Sequence, residues 1–413
     1  MKFPRCLIFL SLVVALVSPR LAADPSPEAG GRWVSTWVSA QQLTEPHNLP
    51  PEPGLAGHTL RQIVQPTLAG TRLRVTFSNQ YGEAPLTIAA ARVARSAGGS
   101  KVDAASERAL TFNGAASVTI LPGTSMISDE VALAVAPFEN LAVSTFQTRM
   151  PVNVTGHPGS RTTSFIVAGE HVSATELDGA KGTDRWYLLG AIDVWTAEEK
   201  AGAIVVIGDS ITDGRGSTTN ANDRWPNVLA RRLHANPATA HLAVLNQGAG
   251  GGRVLRDGLG TSALGRFDRD VLAPPGVRWL IVFEGVNDLG TAVGARAKGE
   301  PGATAEDLIA AYRQMIVRAR SHGIRVIGAT IMAFEGFTAY FTPESEAARQ
   351  AVNAWIRDSG EFDAVIDFDA ITRDPEHPAR LSAAVDGGDR LHPSAEGYRI
   401  MAEAIDLAIF ERR

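Results

Sequence analysis

Residues 203–214 have the sequence AIVVIGDSITDG, and this stretch decides the fold. Its first five residues form a short apolar run, which predicts a strand that is buried on both faces. The polar residues that follow predict a turn into a helix, with Ser210 on that turn. Comparable apolar runs recur after it and predict further buried strands, at residues 242–245, 279–283, 326–330 and 364–366.

Helical patterns lie between these runs, at about residues 225–234, 304–322, 343–358 and 394–410. Strands that alternate with helices form a parallel, doubly wound sheet that is covered on both sides. Ligands of such sheets bind just outside the carboxyl ends of the strands. We therefore expect the chemistry of this α/β half to lie where each strand ends.

The preceding half has a different period, from Trp33 to about Val194. Polar and apolar residues alternate over residues 33–38, 72–77 and 141–146, which predicts strands with one wet face. Turn pairs separate the runs, as at Asn113-Gly114. No helix is expected here, and a β-sandwich or jelly roll is the predicted architecture.

The first residues are typical of a secretory signal peptide. Lys2 and Arg5 precede an apolar run at residues 7–17, and small residues follow at Ala22-Ala23. The run is shorter than the roughly 20 residues that cross a bilayer. We expect a signal peptide at 1–23, a β domain at 24–199 and an α/β domain at 200–413. The protein would be exported, periplasmic or secreted; an uncleaved membrane anchor is the alternative.

Composition excludes several classes of protein. The chain has 413 residues, 45% of them hydrophobic, and a net charge of −5, which suits a globular protein and not a disordered one. No basic run is present, so a nucleic-acid partner is not expected. The only cysteine is Cys6, inside the predicted signal peptide. The mature chain would therefore contain no thiol nucleophile, thiolate metal site or disulfide.

Three of the predicted strand ends carry polar or glycine-rich segments. Ser210 follows the first strand, although Asp209 and Ser210 are also ordinary helix-capping residues. Residues 246–253 read NQGAGGGR after the second strand, and such glycines let backbone N–H groups approach a ligand. A dinucleotide fingerprint is disfavoured because Arg253 stands where its last glycine or alanine belongs. Asn287 follows the third strand, where its amide could donate to a developing oxyanion or form a turn.

The last loop before the final helix contains Asp389 and His392. Three residues apart, the carboxylate can reach Nδ1 of the imidazole and leave Nε2 facing a serine. The alternative is a turn aspartate beside a solvated histidine. His322 and His377 have no comparable partner spacing.

Together these four segments resemble the SGNH hydrolases, also called the GDSL esterase/lipase family. The segments that match the family blocks are Gly208-Asp209-Ser210-Ile211, the glycine turn within residues 246–251, Gly285-Val286-Asn287-Asp288 and Asp389-Arg390-Leu391-His392. The resemblance covers residues 200–413 and implies a flavodoxin-like three-layer fold and a serine esterase with no cofactor and no metal. It implies that Ser210 is the nucleophile, His392 the base and Asp389 its orienting acid. Ser210, Gly251 and Asn287 would form the oxyanion hole, with Gly250 the competitor of Gly251.

The substrate is less constrained by the sequence. Exported relatives with a β-rich companion domain resemble carbohydrate esterases, so we expect short-chain, acetyl-type esters of carbohydrates as substrates. The alternatives are a lipolytic or lysophospholipase-type esterase with the same triad, and a non-catalytic glycan-binding protein. Four aromatic residues lie in residues 334–341, and Tyr340 and Phe341 are the predicted substrate contacts. No stable membrane insertion is expected, and the sequence leaves the oligomeric state open.

Overall fold

The structure, a computed structural model, describes residues 30–411, and the predicted signal peptide lies outside them. The first half of this part is antiparallel β structure with two single-turn 3-10 helices, at Pro46–Asn48 and Ala104–Ser106. Its strands are β1 Arg32–Val38, β2 Gln42–Leu43, β3 His58–Val64, β4 Arg72–Ser78, β5 Leu86–Gly98, β6 Lys101–Val102, β7 Arg108–Leu110, β8 Val118–Ile120, β9 Ser125–Ile127, β10 Leu141–Arg149, β11 Thr155–His157, β12 Ser164–Ala168, β13 Lys181–Thr183, β14 Trp186–Tyr187 and β15 Leu189–Thr196.

The predicted all-β character of this half is confirmed. One sheet has the strand order β1-β15-β4-β9, a second is built around β10 and β5, and two three-stranded sheets complete the half. The predicted turns also form. Asn113 and Gly114 both have positive φ, 52° and 79°, which a two-residue hairpin turn of this kind requires.

The second half is a parallel α/β domain, as predicted. Its strands are β16 Gly202–Gly208, β17 Leu242–Gly248, β18 Val277–Phe283, β19 Arg325–Ala329 and β20 Ala364–Ile366. They form one sheet in the order β17-β16-β18-β19-β20, which is the flavodoxin-like order. Its helices are α1 Ser210–Asp213, α2 Trp225–Ala235, α3 Ala263–Phe267, α4 Val286–Ala297, α5 Ala305–Ser321, α6 Pro343–Asp358, α7 Phe368–Thr372 and α8 Ala395–Glu403.

One helix prediction was wrong in its extent. Residues 394–410 were expected to form a single helix, but α8 ends at Glu403 and a separate 3-10 turn covers Leu407–Phe410. The Asp406 side chain accepts a hydrogen bond from Ala408 N at 3.0 Å and starts that new turn. A capping aspartate inside an apolar pattern interrupts the helix because its side chain competes for backbone donors.

The two halves share one core, and the β half covers an edge of the parallel sheet. Most of their buried apolar side chains form one continuous cluster, and a small second cluster lies within the β half. At the edge strand β17, Val244 N donates to Thr67 Oγ1 at 3.0 Å, so a side chain of the β half satisfies an edge amide. Ser35 N donates to the Pro275 carbonyl at 2.9 Å nearby. None of the helices within residues 30–411 has the length and apolar character needed to cross a membrane.

Candidate active site

Ser210 lies where β16 turns sharply into α1. Asp209 is the N-cap, and its carboxylate accepts a hydrogen bond from Ile211 N at 2.9 Å. The turn requires glycine at position 208, because a Cβ there would lie 2.3 Å from Thr212 Oγ1 and 2.8 Å from the Phe283 carbonyl. Helix α1 ends after one turn at Gly214, which has φ +97°. The short turn leaves Ser210 half-buried at the carboxyl end of β16, an inner strand of the sheet.

The structure brings Ser210, His392 and Asp389 into one hydrogen-bonded series. Ser210 Oγ is 2.8 Å from His392 Nε2, and His392 Nδ1 is 2.7 Å from Asp389 Oδ2. The other Asp389 oxygen accepts from His392 N at 2.8 Å, which fixes the carboxylate against its own loop. Asp386, the other aspartate of this loop, instead accepts from Gly388 N and Arg390 N. Asp389 is therefore the carboxylate that contacts the imidazole.

The surroundings keep His392 neutral and Asp389 ionised near pH 7. Burial lowers the pKa of His392 below its usual 6.5; Asp389 opposes this shift, and the positive charges of Arg215 and Arg161 add to it. Burial alone would raise the pKa of Asp389, but the hydrogen bonds from the backbone and side chain of His392 hold it below its usual range. A neutral imidazole beside a serine hydroxyl can accept its proton.

A turn of glycines follows β17 beside the serine. Gly252 N donates to Ala249 O at 2.9 Å and closes the turn, in which Gly251 has φ +69°. Within the described residues, the amides of Gly250 and Gly251 have no hydrogen-bond acceptor. The turn is tied to the strand that precedes Ser210, because Ala249 N donates to Gly208 O at 2.9 Å. Two amides are thus available to an oxyanion.

The third predicted donor, Asn287, is buried and held at both ends of its amide. Its Nδ2 donates to Gly252 O at 2.8 Å, which connects α4 to the glycine turn. Tyr340 donates its hydroxyl to Asn287 Oδ1 at 2.9 Å. These two bonds fix which end of the amide is the donor, and the second N–H of Nδ2 remains for a ligand.

The aromatic loop after β19 is packed more tightly than the sequence suggested. Phe334 is fully buried, and Phe341 packs edge-on against it with ring centroids 6.2 Å apart. The Tyr340 ring lies against Gly290, where a Cβ would approach it to 2.3 Å, and its hydroxyl is bound to Asn287. The hydroxyl of Tyr340 therefore serves the amide of Asn287, a role that the sequence did not indicate.

Sequence reasoning also missed a histidine that the β half contributes. His157 Nε2 lies 2.9 Å from Oδ1 of Asp213, the last residue of α1, and both side chains are about 5% exposed. His157 Nδ1 lies 2.7 Å from the Ala40 carbonyl. No spacing in the sequence pairs these residues, because they come from different halves. The predicted rivals His322 and His377 are exposed and lie in other parts of the fold.

Buried acids lie beneath the site. Burial raises the pKa of Glu284 to about 8 and that of Asp288 to about 6. Asp288 accepts hydrogen bonds from Val254 N at 2.8 Å and Leu255 N at 3.1 Å, and so anchors the segment after the glycine turn. Across residues 30–411, no three His, Cys, Asp or Glu side chains are grouped so as to hold a metal ion.

Comparisons with known proteins place this half in a family. Residues 206–400 match the family model of the GDSL-like lipase/acylhydrolases. No curated protein matches the chain. Similar solved structures include a GDSL-like lipase from Bacteroides thetaiotaomicron (20% identity, 50% of this chain and 87% of that one, TM-score 0.37). Another is an acetyl xylan esterase from Geobacillus stearothermophilus (21% identity, 51% and 96%, TM-score 0.38). Residues 206–400 of this chain form a domain of the GDSL-like lipase/acylhydrolase family, and the protein is a carboxylic ester hydrolase.

Proposed function

We propose that the protein hydrolyses short-chain acyl esters, in particular acetyl esters of carbohydrates, through Ser210, His392 and Asp389. The observation that carries this proposal is the series Ser210 Oγ, His392 Nε2 and Nδ1, and Asp389 Oδ2, with separations of 2.8 and 2.7 Å. A hydroxyl, a neutral imidazole and an ionised carboxylate in this order are the components of a serine nucleophile with its base.

In the proposed reaction, His392 Nε2 accepts the Ser210 proton while Oγ attacks the ester carbonyl carbon. The negative charge on the carbonyl oxygen is held by the amides of Ser210 and Gly251 and by Nδ2 of Asn287. His392 then returns the proton to the departing sugar oxygen, which leaves an acetyl group on Ser210. Water, deprotonated by His392, attacks that ester, and acetate leaves as Ser210 regains its proton.

The carbohydrate part of the proposal is supported by the polar character of the site. Tyr340 and Asn287 are hydrogen-bonded to each other beside the glycine turn, and the positive charges of Arg215 and Arg161 act on His392. A long acyl chain would need an apolar groove beside Ser210, whereas a sugar alcohol is compatible with polar neighbours. The lipolytic alternative predicts the opposite chain-length preference.

The test is turnover of p-nitrophenyl acetate and longer p-nitrophenyl esters, followed by acetate release from acetylated xylan. Ser210→Ala should abolish hydrolysis without unfolding the protein, and a phosphonate should label Ser210 alone. Ser217→Ala, in the loop that follows α1, is the matched serine control and should remain active. Turnover by folded Ser210→Ala would overturn the proposed nucleophile. Preference for long acyl chains would favour the lipolytic alternative, and no turnover by the wild type would favour a glycan-binding protein.

We also propose that the chain is exported and cleaved after Ala23, with the domain boundary at residues 199 and 200. The antiparallel strands end with β15 at Thr196 and the parallel strands begin with β16 at Gly202, which supports that boundary. The intact mass of protein recovered from a secreting host tests the cleavage. A mature chain that still contains residues 1–23 would contradict it.

A further inference from the structure

Within the part of the chain that the structure describes, most arginine side chains are held by carboxylates, carbonyls or aromatic rings, but a few have no such partner. Among residues 30–411, these are the arginines whose guanidinium has neither a hydrogen bond nor a carboxylate within 4.0 Å: Arg32, Arg149, Arg161, Arg215 and Arg253. Arg32 and Arg149 are exposed residues of β strands. The remaining three lie on segments that adjoin the proposed active site.

Arg215 and Arg253 follow the two segments that surround Ser210. Arg215 N donates to the Ser210 carbonyl at 2.9 Å, and a Cβ on the next residue, Gly216, would lie 2.6 Å from the Pro393 carbonyl. Arg215 therefore stands between the serine and the histidine loop. Arg253 comes directly after the glycine turn that offers the free amides.

Arg161 reaches the same region from the β half. It belongs to the loop after β11, in which a Cβ on Gly159 would meet the Asp213 carboxylate at 1.7 Å. The Arg161 carbonyl accepts from Asn220 N at 2.9 Å, which fixes this loop against the segment that follows α1. Its φ is +48°, a strained conformation for an arginine that the surrounding contacts must impose.

In two of these side chains one guanidinium nitrogen is also buried without an acceptor. Nε of Arg161 and Nε of Arg253 are buried and have no acceptor. The neighbouring carboxylates already have partners, because Asp213 is bound to His157 and Asp288 accepts two backbone amides. The Nη nitrogens of the same two groups are not buried and likewise have no acceptor within residues 30–411, so they are the donors that a ligand oxygen can reach.

We propose that Arg161, Arg215 and Arg253 form an anion subsite for the sugar part of the substrate, so that the preferred substrate is an acetylated glycan carrying carboxylates. This inference rests on the proposed function and specifies its substrate class. Guanidinium groups bind carboxylates through paired, charge-assisted hydrogen bonds, which position a sugar ring as well as attract it. A carboxylate on the acetylated residue or its neighbour would thereby orient the ester over Ser210.

The experiment compares acetylated oligohexuronates with the same oligomers after their carboxylates are reduced to neutral alcohols. The wild type should hydrolyse the acidic form with a kcat/KM roughly tenfold or more above that of the neutral form, and 0.5 M NaCl should shrink the ratio by screening. The comparison needs no variant, so a failure to fold cannot confuse it. Equal kcat/KM values for the two forms would overturn the subsite.

Variants then assign the preference to residues. Arg161→Gln, Arg215→Gln and Arg253→Gln should each lower the acidic-to-neutral ratio by about threefold to tenfold, mainly through KM. Arg32→Gln is the matched control, because Arg32 pairs with Thr196 near the amino end of β16, away from Ser210. A ratio unchanged in all three variants would overturn the assignment.

Two further results separate this inference from the proposed function. Preference for an anionic lysophospholipid over both glycans would overturn the glycan assignment, since a phosphate presents the same chemistry to arginine. If hydrolysis of p-nitrophenyl acetate depends on Ser210 but the two glycans react equally, only the subsite fails. If that hydrolysis does not depend on Ser210, the proposed function itself fails.

Discussion

His157 of the β half and Asp213 of α1 form a buried contact between the two halves, with Nε2 2.9 Å from Oδ1. The other ring nitrogen of His157 faces the Ala40 carbonyl. Both ring nitrogens of His157 thus face oxygen atoms, one on each side of the contact between the halves. Because Asp213 and Ser210 belong to the same turn of helix, the β half supports the segment that presents the proposed nucleophile.

Removing this histidine should therefore weaken both folding and catalysis. His157→Ala leaves the Asp213 carboxylate buried without its donor, which typically costs about 3–5 kcal/mol of unfolding free energy. The displaced α1 should also lower kcat on p-nitrophenyl acetate. His157→Gln keeps an N–H donor near the position of Nε2 and should recover much of both losses. Urea unfolding and steady-state kinetics measure the effects, and an alanine variant like the wild type in both would refute the supporting role.

The pH profile should report the titration of His392. The base must be neutral, so kcat/KM should fall as the pH drops through the pKa of His392, which burial places below 6.5. Asp389 raises that pKa, so Asp389→Asn should move the acid limb to lower pH and reduce turnover by a factor on the order of 10³ to 10⁴. Arg161→Gln should move the limb to higher pH, because a positive charge is removed.

Asp386→Asn is the control for Asp389→Asn, because Asp386 is the other aspartate of the same loop. An asparagine Oδ1 can still accept from Gly388 N and Arg390 N, so turnover should stay close to that of the wild type. A damaging Asp386→Asn with a harmless Asp389→Asn would show that Asp386 is the orienting acid.

Variants of Tyr340 distinguish two roles for this residue, which are positioning Asn287 and contacting the substrate. Tyr340→Phe keeps the aromatic face but removes the donor to Asn287 Oδ1. If positioning dominates, kcat should fall about threefold to tenfold on p-nitrophenyl acetate and on acetylated oligosaccharides alike. If the ring binds sugar instead, the phenylalanine variant should resemble the wild type, and Tyr340→Ala should be selectively poor on the oligosaccharide. Phe341→Ala is the control variant for Tyr340→Ala, because Phe341 makes no hydrogen bond to Asn287.

The parallel sheet was predictable because its strands are continuous apolar runs. Residues 203–207 predicted β16, and the observed strand is Gly202–Gly208. Helix α4 was not predicted, since Gly290 and Gly294 weaken its intrinsic propensity. Its formation depends on tertiary packing, seen where the Tyr340 ring fills the space above Gly290. The sequence of α4 itself does not indicate that contact.

In the site as well, contacts between residues close in sequence were predictable, and contacts between distant residues were not. Asp389 and His392 are three residues apart, so their contact follows from the loop sequence alone. The pairs His157 with Asp213 and Tyr340 with Asn287 join residues 56 and 53 positions apart. Only the fold brings such residues together, which is why no local pattern indicated them.

The α/β half should not be fully functional without the β half. Residues 200–413 alone would expose the edge of β17, where Thr67 satisfies Val244 N, and would leave Asp213 without His157. The guanidinium of Arg224, which is buried in the intact protein and donates to the Ser160 carbonyl, would lose that acceptor. An unpaired strand at a sheet edge can pair with another chain and cause aggregation, and a charge that loses its partner destabilises the folded state. We therefore expect poor soluble yield, a lower melting temperature and reduced kcat/KM relative to residues 24–413, with partial recovery when residues 24–199 are co-expressed. Equal stability and kinetics for the isolated α/β half on both small and polymeric esters would show that the β half is dispensable.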